Sequence, residues 1–147
     1  MRFYPELLKF LAQSKTNVLG TSQFETQYLG LKVKVSFGKG RQALVPWIAF
    51  LGGDDSIPKG IYPVYLFFKE KHLLILAYGV SETNQPLNGW KISNPQSLES
   101  YFADRNLGSI KRYGSSYFFN AYDTNQSLNE VEIDRDLAKL IDIYKQQ

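Results

Sequence analysis

Ile61-Tyr-Pro-Val-Tyr-Leu-Phe-Phe68, Lys69-Glu-Lys71 and, past His72, Leu73-Leu-Ile-Leu-Ala-Tyr78 follow one another in the middle of the chain. Two apolar runs of strand length, rich in aromatic and aliphatic residues, are joined by a short charged connection. A parallel pair needs a crossover of a dozen or more residues, so this link predicts an antiparallel hairpin. Pro63 has no N–H to give to a ladder, which predicts an edge strand or an early position within the strand.

Upstream, Leu31, Val33, Val35 and Phe37 alternate with Lys32, Lys34 and Ser36, the period of a half-buried strand whose other face is basic. The loop Phe37-Gly-Lys-Gly-Arg41 follows, then Pro46 and the apolar run Trp47 to Leu51. The N-terminal stretch Pro5 to Ala12 places Leu7, Leu8, Phe10 and Leu11 at helical spacing. Polar loops are expected over Gly52–Gly60, where Asp54 and Asp55 read as a solvated turn, and over Gly79–Trp90. Downstream, Asn94-Pro95 is expected to open a helix running to Arg105, with Leu98, Tyr101 and Phe102 on one side. Ser116 to Tyr122 reads as a strand. Val131 to Tyr144 reads as a closing amphipathic helix with Leu137, Leu140 and Ile141 on its stripe. The sequence predicts one α+β domain over residues 1–147, a curved and mainly antiparallel sheet flanked by helices.

Composition narrows the function classes. With no cysteine and one histidine, His72, the chain has no thiolate nucleophile and no cysteine–histidine zinc pattern. Neither a Gly-x-Ser-x-Gly elbow nor a phosphate-binding Gly-x4-Gly-Lys-Ser/Thr loop is present. No catalytic residue, metal ligand or cofactor is therefore expected, and Asp54-Asp55 is not read as a metal site. No run reaches the ~18 apolar residues of a membrane span, and the N-terminus is too charged for a signal peptide, so a cytoplasmic protein is expected.

Residues 123–147 hold six acids against three bases, so the overall +3 leaves +6 on residues 1–122. Lys32, Lys34, Lys39 and Arg41 form a cluster without an acid. Lys34, Arg41, Lys111 and Arg112 are candidates for backbone phosphates, contacts that position a protein on DNA without specifying sequence. The alternative is the solvated face of a strand. Aromatic residues make up 15% of the chain, enough to furnish a stacking surface in addition to a core.

Four stretches occur in order: Val35-Ser-Phe-Gly-Lys-Gly40, Val45-Pro-Trp-Ile-Ala-Phe-Leu-Gly52, Gly60-Ile-Tyr-Pro-Val64 and Leu76-Ala-Tyr-Gly-Val-Ser-Glu-Thr-Asn-Gln-Pro86. With Trp90, Tyr101-Phe102 and Lys111-Arg-Tyr-Gly-Ser-Ser-Tyr117, they resemble the N-terminal DNA-binding domain of the McrB family over nearly the whole chain. That family comprises GTP-driven components of modification-dependent restriction systems. The resemblance implies binding of double-stranded DNA at 5-methylcytosine preceded by a purine, with the base flipped into a pocket. It implies no catalysis in this domain, which would be joined to a GTPase or other effector domain and served by a nuclease subunit.

Carried over by position, the resemblance assigns Trp47 and Tyr113 with Leu66 to the pocket and Tyr62 beside it. Read from their own surroundings, Trp47 and Leu66 are core positions, whereas Tyr113 lies in a polar loop. Glu82 and Asn84 belong to the fourth stretch, a loop that its own hydrogen bonds can hold. Lys39 departs from the pattern, which carries an aromatic wedge there. A lysine reaches instead for a phosphate or for the acceptors of the orphaned guanine. Two rivals remain: a module for RNA or single strands without modification specificity, and a protein-interaction module.

Overall fold

A computed structural model describes residues 2–52, 60–82 and 89–147. The loop residues Asp54, Asp55 and Asn84 singled out in the sequence lie outside them. Among the described residues, no helix is long and apolar enough to cross a membrane, and no cluster of histidine and carboxylate side chains is arranged to hold a metal.

Six strands, β1 (Gln27–Tyr28), β2 (Leu31–Ser36), β3 (Trp47–Leu51), β4 (Ile61–Phe68), β5 (Leu73–Val80) and β6 (Tyr117–Asp123), form one sheet in sequence order. Every neighbouring pair is antiparallel. The hairpin that decided the reading pairs Ile61 with Val80 through Phe68 with Leu73. Its link is one 3-10 turn over Lys69–Lys71, closed by His72 at φ 52°. Histidine is one of the non-glycine residues that accept this left-handed conformation, so the exposed His72 serves as a turn residue.

Pro63 takes the early position, third in β4, and does not mark an edge, since β4 lies inside the sheet. The ladder to β3 ends at the Ala49–Val64 pair, one residue short of Pro63, so the missing N–H costs no bond. The two-residue β1 was not foreseen, being too short to show a period. Between β5 and β6 the pairing shifts at Leu76/Ala77, leaving Phe119 as an extra residue. Such a bulge bends its strand and increases the local twist.

Strand alternation gives the sheet two apolar faces. One carries Ile48, Phe50, Tyr65, Phe67, Leu74 and Leu76 and is covered by α1 (Tyr4–Ser14) and α3 (Glu130–Lys145). The two helices are joined by Asp134, whose Oδ1 accepts the backbone N–H groups of Phe3 and Tyr4 at 3.0 and 3.1 Å. This caps α1 from another element, because Phe3 at its N-cap has no side chain able to do so.

The other face carries Ala49, Val64, Leu66, Phe68, Ile75 and Ala77 and is met by α2 (Leu98–Asp104). Asn94 does not open this helix. It sits at φ 50°, and the helix begins after Ser97, whose hydroxyl accepts the N–H of Ser100. Phe102 packs edge-on against Phe68, and Tyr101 stacks on Phe118 with centroids 4.2 Å apart. Seven residues of helix span roughly 10 Å, about two strand spacings. The helix is thus too short to roof this face, and the part built by β2, β3 and the start of β4 stays open.

Candidate nucleic-acid interface

The open part of the sheet is the floor of a cavity of about 280 Å³. Trp47, Ala49 and Leu51 come from β3, and Tyr62, Val64 and Leu66 from β4, one face of two paired strands. Ser81, Glu82, Arg112, Tyr113 and Ser116 complete the walls, with Lys34 of β2 at the side. The volume lies just below the usual range for ligand sites, ~300–1,000 Å³, and suits one flat heterocycle better than two.

Gly79 sets the position of one wall. A Cβ there would lie 2.5 Å from the Tyr62 carbonyl oxygen and 2.9 Å from its ring, so only glycine lets the Tyr62 ring lie against β5. Tyr113 is held differently. Its φ is 68°, a conformation that a bulky side chain adopts only under constraint. The constraint is a set of hydrogen bonds. Tyr113 N–H donates to Glu82 Oε2 at 2.8 Å, and its carbonyl accepts Ser116 N–H at 3.1 Å. Arg112 Nε donates to Glu82 Oε1 at 3.2 Å, and the guanidinium lies 5.0 Å from the centre of the Tyr113 ring. Below, Ser116 Oγ accepts Val80 N–H, and the carbonyls of Gly114 and Ser116 accept the N–H groups of Glu99 and Leu98 at the start of α2.

Burial raises the pKa of the Tyr62 phenol, reinforced by Tyr113 and Glu82. Burial also raises that of Tyr113, Arg112 opposes this, and Glu82 adds to it. Both phenols are therefore neutral at physiological pH and able to donate or accept. Among the described residues, neither the Trp47 indole N–H nor the Tyr62 hydroxyl has a hydrogen-bond partner, and neither ring is paired with another. The wall thus presents unstacked aromatic surface and uncommitted polar atoms together.

Of the residues singled out in the sequence, Trp47, Tyr62, Leu66, Lys34, Tyr113 and Arg112 surround this one cavity. Leu66 is 1% exposed, so it is both wall and core. Lys39, Arg41 and Lys111 are exposed and do not line it. Lys39 and Arg41 lie in the loop between β2 and β3. That loop is tight at Gly38, where a Cβ would come within 2.2 Å of the Arg41 carbonyl oxygen, and Gln42 fastens it to the end of α1 through the Ser14 and Thr16 carbonyls.

Residues 5–104 match the family described as "MrcB-like, N-terminal domain". The chain belongs to this family. This MrcB-like domain is 35% identical over 144 residues to the "Type IV methyl-directed restriction enzyme EcoKMcrB subunit" of Escherichia coli (strain K12). The alignment covers 96% of the chain and 31% of that subunit, so the chain spans less than a third of its relative's length. The family model that matches is that of an N-terminal domain.

Sequence reasoning had not singled out Ala49, Leu51, Val64, Ser81 or Ser116 in the MrcB-like domain. The first three were within reach, because alternation puts 47, 49, 51 and 62, 64, 66 on common faces once β3 and β4 pair. For the two serines no local signal exists. Nor does one exist for the reach of Glu82 across 31 residues to Tyr113.

Proposed function

We propose that this MrcB-like domain binds double-stranded DNA at 5-methylcytosine, in a purine-methylcytosine context, by flipping the modified base into the cavity beneath Tyr113. It acts as the targeting module of a modification-dependent restriction system, with a GTPase or other effector domain and a nuclease subunit supplying the enzymatic steps. The observation that carries this reading is the convergence of Trp47, Tyr62, Tyr113 and Leu66 on one cavity sized for a single base. A relative named as methyl-directed supports it.

The physical steps balance. Extruding a base costs a few kcal/mol of lost stacking and pairing. Stacking on aromatic faces returns ~1–3 kcal/mol per base, and Trp47 and Tyr113 supply such faces. The C5 methyl gains dispersion contact with the apolar wall of Ala49, Leu51, Val64 and Leu66 and leaves no polar group unpaired. Lys34 and Arg112 at the cavity, with Arg41 and Lys111 beyond it, offer the positive charge that phosphates require.

Lys39 takes a phosphate or the acceptors of the orphaned guanine. The gap left in the stack falls to Leu44, which is 68% exposed and stands in the same loop three residues before Trp47. Three residues reach at most ~11 Å, and apolar wedges such as leucine insert at disturbed base steps.

Matched duplexes, unmodified and carrying one 5-methylcytosine, test the reading at two salt concentrations with Trp47→Ala alongside. Tighter binding of the methylated duplex, lost in Trp47→Ala, is expected. Salt-sensitive binding without methyl preference would leave a generic nucleic-acid module and refute base recognition. Indifference to DNA would point to a protein partner instead.

A further inference from the structure

A site for 5-methylcytosine meets a problem that the methyl group does not solve. Thymine carries the same C5 methyl and is abundant in every duplex. The two bases differ at N3, an acceptor in cytosine and an N–H donor in thymine, and directly beside the methyl, where cytosine presents the N4 amino donor and thymine the O4 acceptor. An apolar wall and two aromatic faces accept both equally, so discrimination has to come from the polar lining.

Among the described residues that lining is short. The hydroxyls of Tyr62, Ser81, Tyr113 and Ser116 can donate or accept and therefore satisfy either base. Lys34, Arg112 and the Trp47 indole only donate, which serves cytosine N3 as well as thymine O4 and so selects neither base at position 4. Glu82 is the single acceptor-only side chain among the described lining residues.

We infer that the Glu82 carboxylate is the group that admits cytosine and rejects thymine, accepting the N4 amino hydrogen and repelling O4. The inference rests on the flipped-base reading above. Glu82 has the capacity for this role. Tyr113 N–H occupies one lone pair on Oε2 and Arg112 Nε one on Oε1. An ionised carboxylate offers about four acceptor positions, so each oxygen keeps one. The same two bonds fix the carboxylate relative to the ring that stacks on the base, joining the group that reads the edge to the group that holds the face. They also offset the repulsion that an acid would exert on a polyanionic partner, since Arg112 is its ion-pair partner.

Three duplexes that differ only at the target test this: 5-methylcytosine opposite guanine, cytosine opposite guanine, and thymine opposite guanine. The mismatched thymine is the easiest to extrude, so its exclusion has to come from the protein. The intact domain is expected to favour 5-methylcytosine over cytosine, and over thymine by about tenfold or more. Glu82→Gln keeps an oxygen for Tyr113 N–H but can turn an amide donor towards O4. Its preference over thymine should fall by about tenfold while its preference over cytosine persists. Glu82→Asp stays acceptor-only and should hold a thymine discrimination well above that of Glu82→Gln.

If Glu82 only positions Tyr113, either substitution weakens all three complexes by one factor and leaves the ratios unchanged, which overturns the inference. Equal thymine ratios in the two variants overturn it as well. If the intact domain does not prefer 5-methylcytosine over cytosine, the flipped-base reading itself fails.

Discussion

Replacing Tyr113 with glycine separates folding from recognition more cleanly than any other change at the cavity. Its backbone stands at φ 68°, where a side chain other than glycine costs ~1–2 kcal/mol. Glycine removes that cost and keeps both backbone bonds, the N–H to Glu82 and the carbonyl to Ser116. Against this stands the loss of a half-buried ring, at most ~1–2 kcal/mol, of its contact with the exposed Arg112 guanidinium, ~0.5–1 kcal/mol, and of chain stiffness, ~0.5–1 kcal/mol. These terms largely cancel, so urea unfolding should find Tyr113→Gly within about 1–2 kcal/mol of the parent domain. Binding has no such compensation. Without one aromatic face, the methylated duplex should bind with ~1–3 kcal/mol less free energy, about 5- to 150-fold weaker. Fluorescence anisotropy on the matched duplexes reads the second quantity. Destabilisation beyond about 3 kcal/mol, or methylated-duplex affinity unchanged in a folded variant, would refute the view of Tyr113 as a strained residue retained for its ring.

Other outcomes follow from the same geometry. Leu66→Ala, at a fully buried position, should cost ~2–5 kcal/mol of stability, so its binding defect will be inseparable from unfolding unless measured well below the melting temperature. Leu44→Ser should leave the melting temperature unchanged and weaken the methylated complex several-fold, read by anisotropy, if the exposed side chain fills the vacated stack. Removing Lys34 or Arg41 should lower affinity for methylated and unmethylated duplexes alike and flatten the plot of log affinity against log salt by about one unit per charge. Tyr65, Tyr122, Tyr62, Tyr113, Tyr144, Tyr78 and Tyr28 all have raised phenol pKa values, with burial the leading cause in each. The folded state holds these protons longer than the unfolded chain. Their contribution to stability is thus complete below pH ~10 and lost as the pH rises beyond it, and denaturant midpoints at pH 8 and pH 11 should show the fall.

The sequence by itself determined most of the elements and the one hairpin at the centre of the sheet. Apolar runs 61–68 and 73–78 with three charged residues between them permit little but an antiparallel hairpin, and alternation in 31–37 marks one buried and one basic face. The missing nucleophiles and the four ordered stretches directed the functional reading. What misled or stayed silent was non-local. The ladder ends before Pro63 because of where β3 stops, and Asn94 takes a left-handed turn where the segment after it is tied to β6, Gln96 to Phe118 and Ser97 to Tyr117. Only the tertiary structure decided that α2 is too short to cover its face and so leaves a cavity. It gave Trp47, Leu66 and Tyr113, which the resemblance had grouped, a common cavity, and it alone stretched Glu82 across to hold a ring in a conformation the ring's own residue disfavours. Local pattern records which side of an element is apolar. Whether that side is roofed or open depends on the lengths and packing of elements far apart in the chain, which no local period encodes.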